Sequence, residues 1–199
     1  MKRKIAITGG IGSGKSFVLN CAREMGHPTF SCDAIYREIC QTKEYIDLIA
    51  QSFPECVTAD GLDRKKLAAC VFNNPPALKK LNQIAHPIIM NELFKKMEEQ
   101  EGEFVFAEVP LLFEGNYEND FHETIYVKRN QQARIESVKL RDNLSKEEIL
   151  NRIKNQFDID SDLGKKKLQN AHVHVFENNE TELAVKNWLT NFLEKLSRI

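Results

Sequence analysis

Short apolar runs recur along the chain at Lys4 to Thr8, Thr29 to Ser31, Phe104 to Val109, Thr124 to Val127 and His172 to Phe176, with helical periods between them. Strands buried on both faces read as such near-continuous runs, so the alternation predicts a parallel sheet covered by helices. The last helix carries one apolar stripe, Val185, Trp188, Leu189, Phe192, Leu193 and Leu196, and is entered through Asn179 with Glu182 three residues on. It should pack on the sheet. Ala34 to Gly102 separates the second and third strands by about 70 residues of helical character, where a plain crossover needs far fewer, which points to an inserted helical subdomain. Inside it Pro75-Pro76 starts a helix through Leu78, Leu81 and Ile84 or Ala85, and Pro87 predicts a kink or a break at His86-Pro87. A second helical stretch, Gln131 to Gln156, is cut at Asn143-Leu144-Ser145. Ser145 with Glu148 forms a capping box there, and Leu144 with Ile149 a hydrophobic staple.

A chain of 199 residues can bury the core of one domain carrying an insertion. Lys plus Arg number 28 against 29 Asp plus Glu, so no overall field draws the protein to nucleic acid or to a membrane, and any basic patch must be local. The five cysteines, Cys21, Cys32, Cys40, Cys56 and Cys70, are odd in number, contain no CxxC pair and follow no zinc-ligand spacing. They read as reduced thiols of a cytoplasmic protein. The basic start Met1-Lys2-Arg3-Lys4 is followed by an apolar run that ends too soon at a glycine turn to serve as a signal peptide, and no run reaches membrane-spanning length.

Chemistry enters at Gly9-Gly10-Ile11-Gly12-Ser13-Gly14-Lys15-Ser16, a GxxxxGK[ST] pattern directly after the first strand. A strand delivering the chain to a glycine-rich turn that opens a helix brings several backbone amides and the positive helix end to one point, where phosphate oxygens fit. Lys15 would reach the β- and γ-phosphates and the Ser16 hydroxyl would hold Mg²⁺; the alternative is a glycine turn without a ligand. No NKxD and no DxxG accompany the loop, which argues against a GTPase switch. Asp33 follows the second strand, whose end should face the same crevice as the loop. It can accept the proton of an attacking hydroxyl or help position the metal, or it can merely cap the helix starting at Ala34. Arg134, Arg141 and Arg152 lie on the cut helical pair, ahead of the polar string Gln156 to Asp162, as on a hinged basic lid. Arg141 is the first candidate for a cation on the transferred phosphoryl group, against the alternative of a solvated arginine beside Asp142. His86 can line an acceptor pocket or sit satisfied between helices, while His172 and His174 lack acidic neighbours of a metal site.

Taken together, these segments resemble the dephospho-CoA kinase family, nearly end to end. The resemblance rests on Thr8 to Ser16, Asp33-Ala34, Leu62-Asp63-Arg64, His86-Pro87, Pro110-Leu111-Leu112-Phe113-Glu114, Arg141-Asp142 and Gln156, in the family's order and approximate spacing. It implies MgATP-dependent phosphorylation of the ribose 3′-hydroxyl of dephospho-CoA, with ATP and dephospho-CoA as the partners. The fold implied is a three-layer, doubly wound, parallel five-stranded α/β sheet, with core 1–33, 102–130 and 171–199, a helical acceptor insert at about 34–101 and a lid at about 131–165. By the same resemblance Gly10, Ile11, Gly12, Ser13, Gly14, Lys15, Ser16 and Phe17, with Arg141, bind ATP; Lys15, Asp33 and Arg141 carry the catalysis. Asp63, Arg64, His86, Leu111 and Leu112, with Asp33, shape the acceptor side. The chain departs from the family at Ser31, where a first aspartate is usual, at Phe17 in place of threonine, at Ser137 in place of an arginine, and at His172-Val173-His174 ahead of Asn178. A nucleoside monophosphate kinase, or an ATP-binding regulatory module without transfer, are the rival readings. Transfer should be direct and in line, since no activated nucleophile is visible.

Overall fold

β-branched and aromatic residues in short blocks form strands here because their side chains can be buried on both faces of a parallel sheet. The computed structural model describes residues 2–72, 74–170, 172–178 and 181–198. In chain order it comprises β1 (Arg3–Thr8), α1 (Lys15–Glu24), β2 (Thr29–Ser31), α2 (Cys32–Ile39), α3 (Lys43–Ser52), β3 (Val57–Thr58), β4 (Gly61–Leu62), α4 (Arg64–Val71) and α5 (Pro75–Glu98). There follow β5 (Phe104–Glu108), β6 (Glu123–Lys128), α6 (Gln131–Asp142), α7 (Lys146–Lys154), α8 (Asp162–Leu168), β7 (Val173–Glu177) and α9 (Glu182–Ser197). Strand ends fall one or two residues from the apolar runs, as expected where the terminal residue of a run is polar. The chain forms two compact units, Met1–Thr29 with Gln100–Ile199, and Phe30–Glu99.

The sheet runs β2-β5-β1-β6-β7, the five-stranded, doubly wound parallel order of the α/β class. Ile7 of β1 lies opposite Glu108 of β5 and Ile125 of β6, so β1 and β5 end within a residue of each other while β6 runs on to Lys128. That register positions the site. Ile5, Ile7, Phe106, Ile125 and Val127 are fully buried with Val18 and Ala22 of α1 and Val185 and Leu189 of α9. Each large side chain so enclosed contributes about 1.5–3 kcal/mol. The α9 stripe packs as its period predicts, with Trp188 stacked on Phe192 at 5.2 Å. Asn179 lies outside the described residues; the cap of α9 is Thr181, whose hydroxyl accepts from the Ala184 amide at 3.4 Å.

The structure corrects the expectations for the histidines, for the break at Pro87 and for Leu78. His172 and His174 do have an acidic neighbour: Glu123, buried at the start of β6, hydrogen-bonds His174 Nε2 at 2.7 Å and lies 3.7 Å from His172 Nδ1. Parallel pairing of β6 with β7 brings together residues about fifty positions apart, which sequence neighbours cannot show. At Pro87, where a kink or a break is expected, the helix does not break. α5 runs unbroken from Pro75 to Glu98. Pro87 is exposed, and the buried row Leu81, Ala85, Ile89, Leu93 and Met97 continues past it at every fourth residue, so packing outweighs the amide that proline removes. Leu78, expected in that stripe, is 44% exposed.

The α6–α7 turn forms as the pattern predicts. Asn143 closes α6 in the left-handed region (φ 53°), Ser145 accepts from the Glu148 amide at 3.2 Å, and the Ser145 amide donates to the Glu148 carboxylate at 2.8 Å. Leu144 packs on the cluster of Ile135, Val138 and fully buried Ile149, together with Ile11. Beyond it, Ser161 caps α8 through the Gly164 amide, so helix occupies the end of the polar string. Among the described residues no helix is long and apolar enough to cross a membrane.

Candidate phosphate-binding site

The loop between β1 and α1 is shaped by glycines and pinned by side chains from distant elements. Gly12 (φ 74°) and Gly14 (φ 94°) adopt dihedrals that L-residues rarely take. A Cβ on Gly12 would lie 2.6 Å from the Arg134 carbonyl oxygen, and one on Gly14 would overlap the Asn178 amide nitrogen. α1 then begins at Lys15 with Gly14 as its cap. The first amides of a helix have no carbonyl of their own helix to bond, and they sit at the positive end of its dipole.

Four successive loop carbonyls are each held by a donor. Gly10 O accepts from Lys15 Nζ at 3.1 Å, and Ile11 O from Arg134 Nε at 2.9 Å. Gly12 O accepts from Arg129 Nη1 at 3.4 Å and Ser13 O from Asn178 Nδ2 at 2.7 Å. The Ile11 amide donates to Gln156 Oε1 at 2.8 Å. Burial lowers the Arg134 pKa from its usual value. Tyr126, buried within β6, is pushed up to about 12 by burial and stays neutral.

Ser16 donates to Glu108 Oε1 at 3.1 Å. Glu108 is only 8% exposed, and it reaches Ser16 because β5 pairs with β1 in level register. A hydroxyl beside a carboxylate, at the end of a phosphate loop, is an oxygen donor set that suits Mg²⁺.

Among the residues expected from sequence, Gly10 to Ser16 come together in this loop, and Phe17 lies in the first turn of α1, 37% exposed. Arg141 is exposed near the end of α6, with its guanidinium on both Asp142 carboxylate oxygens at 2.7 and 2.8 Å. The arginine of α6 that meets the loop is Arg134. Leu111 is exposed and Leu112 fully buried, so of that pair only Leu111 presents surface. Glu114, closing the same motif, accepts from the Phe157 amide at 2.9 Å and so ties the segment after β5 to the chain after α7.

In the second unit, α2 starts at Cys32 with Ser31 as its cap, which places Asp33 inside the first turn, exposed, and not at the capping position. Asp63 caps α4 by accepting from the Lys66 amide at 2.9 Å, and the Arg64 guanidinium lies 5.9 Å over the Tyr36 ring. His86 is half-buried on α5.

Sequence reasoning missed Glu108 and Arg129. An acid ending a wholly apolar central strand was the available signal for Glu108. For Arg129 there was none, because its partners, Gly12 and the Ser137 hydroxyl at 2.7 Å, depend on how α6 returns to the loop.

Comparison with known proteins places the chain in a family. The family model described as dephospho-CoA kinase matches residues 3–184. A dephospho-CoA kinase of Thermus thermophilus is 39% identical over 148 residues, covering 74% of this chain and 72% of that protein. One from Enterococcus faecalis is 33% identical over 204 residues, covering 98% and 100%. A solved structure from Thermus thermophilus, 34% identical, superposes with a TM-score of 0.81 over 98% of both chains. With a phosphate loop built residue by residue and a family match spanning nearly the whole chain, this protein belongs to the dephospho-CoA kinase family, the kinases of coenzyme A biosynthesis.

Proposed function

We propose that the chain transfers the γ-phosphoryl group of ATP to the ribose 3′-hydroxyl of dephospho-CoA, using Mg²⁺, in the cytoplasm. The observation that carries this reading is the loop at residues 9–16 opening α1, with Lys15 beside it and Ser16 bonded to buried Glu108. Gly10 to Lys15 would cradle the phosphates through backbone amides, and Lys15, exchanging the Gly10 carbonyl for a phosphate oxygen, would bridge β and γ. Ser16 and Glu108 would hold the metal ion, which when bound neutralises charge on the β- and γ-oxygens. Asp33 would take the proton of the 3′-hydroxyl as its oxygen forms a bond to the γ-phosphorus and the bond from that phosphorus to the β–γ bridging oxygen breaks, releasing ADP. Arg141 would serve from the lid, and Asp63, Arg64, His86 and Leu111 would shape the acceptor side. Five cysteines held as thiols support the cytoplasmic assignment.

A coupled ADP-release assay over dephospho-CoA, AMP and CMP tests the reading, with mass spectrometry of the product to locate the new phosphate. Dephospho-CoA should be turned over fastest and phosphorylated at the 3′-oxygen. Faster consumption with AMP or CMP would make the protein a nucleotide kinase, and tight ATP binding without product would make it a regulatory module. Asp33→Asn should lower kcat with little change in KM for ATP; full activity would remove Asp33 from the reaction.

A further inference from the structure

Spacing along the sequence hides a convergence of ligands in the second unit. Cys56, wholly buried, ends the short 3-10 turn Pro54–Cys56, and Cys70, half-buried, lies in the last turn of α4. The Asp63 amide donates to the Cys56 carbonyl at 2.8 Å, closing the β3–β4 ribbon so that α4 folds back beside the turn. The two Sγ atoms then stand 3.4 Å apart, and Cys70 Sγ is 3.5 Å from Glu55 Oε1. All three ligand atoms fall within 4.8 Å of one another.

We propose that Cys56, Cys70 and Glu55 bind one divalent cation of the Zn²⁺ class, with water as the fourth ligand. Two thiolates at about 2.3 Å from a tetrahedral ion stand roughly 3.8 Å apart, so the sulfurs need separate by only a few tenths of an ångström. A disulfide, at about 2.05 Å, needs them to close by more than an ångström and leaves the carboxylate without a part. Thiolate, carboxylate and water are an ordinary zinc donor set, and metal binding releases the thiol protons to solvent without any redox change. A cavity of about 420 Å³ lined by Phe53, Glu55, Cys70, Asn74 and Lys80 adjoins the cluster and admits ion and water. Once bound, the ion fastens the turn to α4 across the segment that bears Asp63 and Arg64.

Co²⁺ titration of the fully reduced whole protein tests this directly. The expected result is a thiolate-to-cobalt charge-transfer band with intense tetrahedral d–d bands, saturating at a single equivalent and bleached by a single equivalent of Zn²⁺. Cys70→Ser should lose most of the charge-transfer intensity. Glu55→Gln, an exposed change that leaves both thiols and the fold in place, should weaken Co²⁺ binding about tenfold or more. No band in the unmodified protein, the same band in Cys70→Ser, or unchanged affinity in Glu55→Gln would each overturn the assignment. So would a Cys56–Cys70 disulfide that forms in air at the same rate with and without Zn²⁺.

Discussion

Replacing Asn178 by alanine tests whether the loop is a built cradle or a passive turn. The side chain is 6% exposed, and its Nδ2 donates to the Ser13 carbonyl at 2.7 Å, while its own amide donates to the Lys128 carbonyl at 2.7 Å. The substitution leaves the backbone bond and deletes only the side-chain donor. A buried carbonyl left unpaired costs about 1–3 kcal/mol. For a chain of this size 2 kcal/mol lowers Tm by roughly 4–8 °C. The functional consequence follows from planarity: the Ser13 carbonyl and the Gly14 amide belong to one peptide group and point in opposite directions. On the proposed reading, pinning the carbonyl would hold the Gly14 N–H toward the phosphates, and releasing it would let the plane rotate. Loss of one hydrogen bond to a charged group, about 1.5–3 kcal/mol, corresponds to roughly a tenfold to hundredfold rise in KM for ATP. Differential scanning fluorimetry and steady-state kinetics with ATP varied read both effects. Asn178→Asp, nearly isosteric but without the donor, should behave at least as badly. A fall in Tm with KM for ATP within twofold of the parent would refute the argument, and so would a fully functional aspartate variant.

Other changes separate the remaining contributions. Glu108→Gln keeps an acceptor for Ser16 but removes the charge, and should raise the Mg²⁺ concentration for half-maximal activity about tenfold while leaving metal-free nucleotide binding nearly unchanged, as a metal titration would show. Ile149→Ala empties a fully buried position beneath the α6–α7 turn and should cost about 2–5 kcal/mol in chemical denaturation. The hydroxyl and then the amide of Ser145 hold Glu148 below its ordinary pKa. A depressed carboxylate stabilises the fold above its unfolded pKa of about 4.3, and that contribution vanishes as pH falls through the folded value. Glu148→Gln should therefore lower Tm at neutral pH and converge with the parent in acid, which a Tm series across pH would detect.

The parts of the fold legible in the chain are those written in local pattern. Strand runs, the α9 stripe and the Ser145 box each depend on neighbours within a turn or two, and each is found where the pattern puts it. The glycine loop was legible for the same reason, because backbone dihedrals and helix start are set within eight residues. Pairings made by the sheet were not legible. Glu108 reaches Ser16, Glu123 reaches His174, and Arg129 reaches Gly12 across separations that only the register of parallel strands and the return of α6 define. The choice among arginines shows the limit clearly. Arg134, Arg141 and Arg152 are equivalent as letters on amphipathic helices, yet only the rotation of α6 about its axis turns Arg134 to the loop and leaves Arg141 beside Asp142.

That rotation bears on how a protein with a net charge of −1 can accept a polyanion. The carbonyls of residues 10 to 13 are the negative ends of four successive peptide dipoles, and each is taken by a donor: Lys15, Arg134, Arg129 and Asn178 in turn. Because each peptide group is planar, fixing its oxygen also fixes the direction of the following amide, and the Ser13 amide is set on the Gly10 carbonyl at 3.2 Å. Three of the four donors are cations, so the contacts that orient the peptide groups also gather positive charge at the loop that opens α1. Gln156 completes the arrangement from the opposite sense, with its carbonyl oxygen on the Ile11 amide and within 3.5 Å of Arg134 Nη2. A bound phosphate offers the same kind of acceptor as that glutamine oxygen, which makes the Ile11 amide a point where protein and ligand compete for a donor. The binding field is thus local and built from oriented groups, and the balance of charge over the rest of the surface need not favour anions at all.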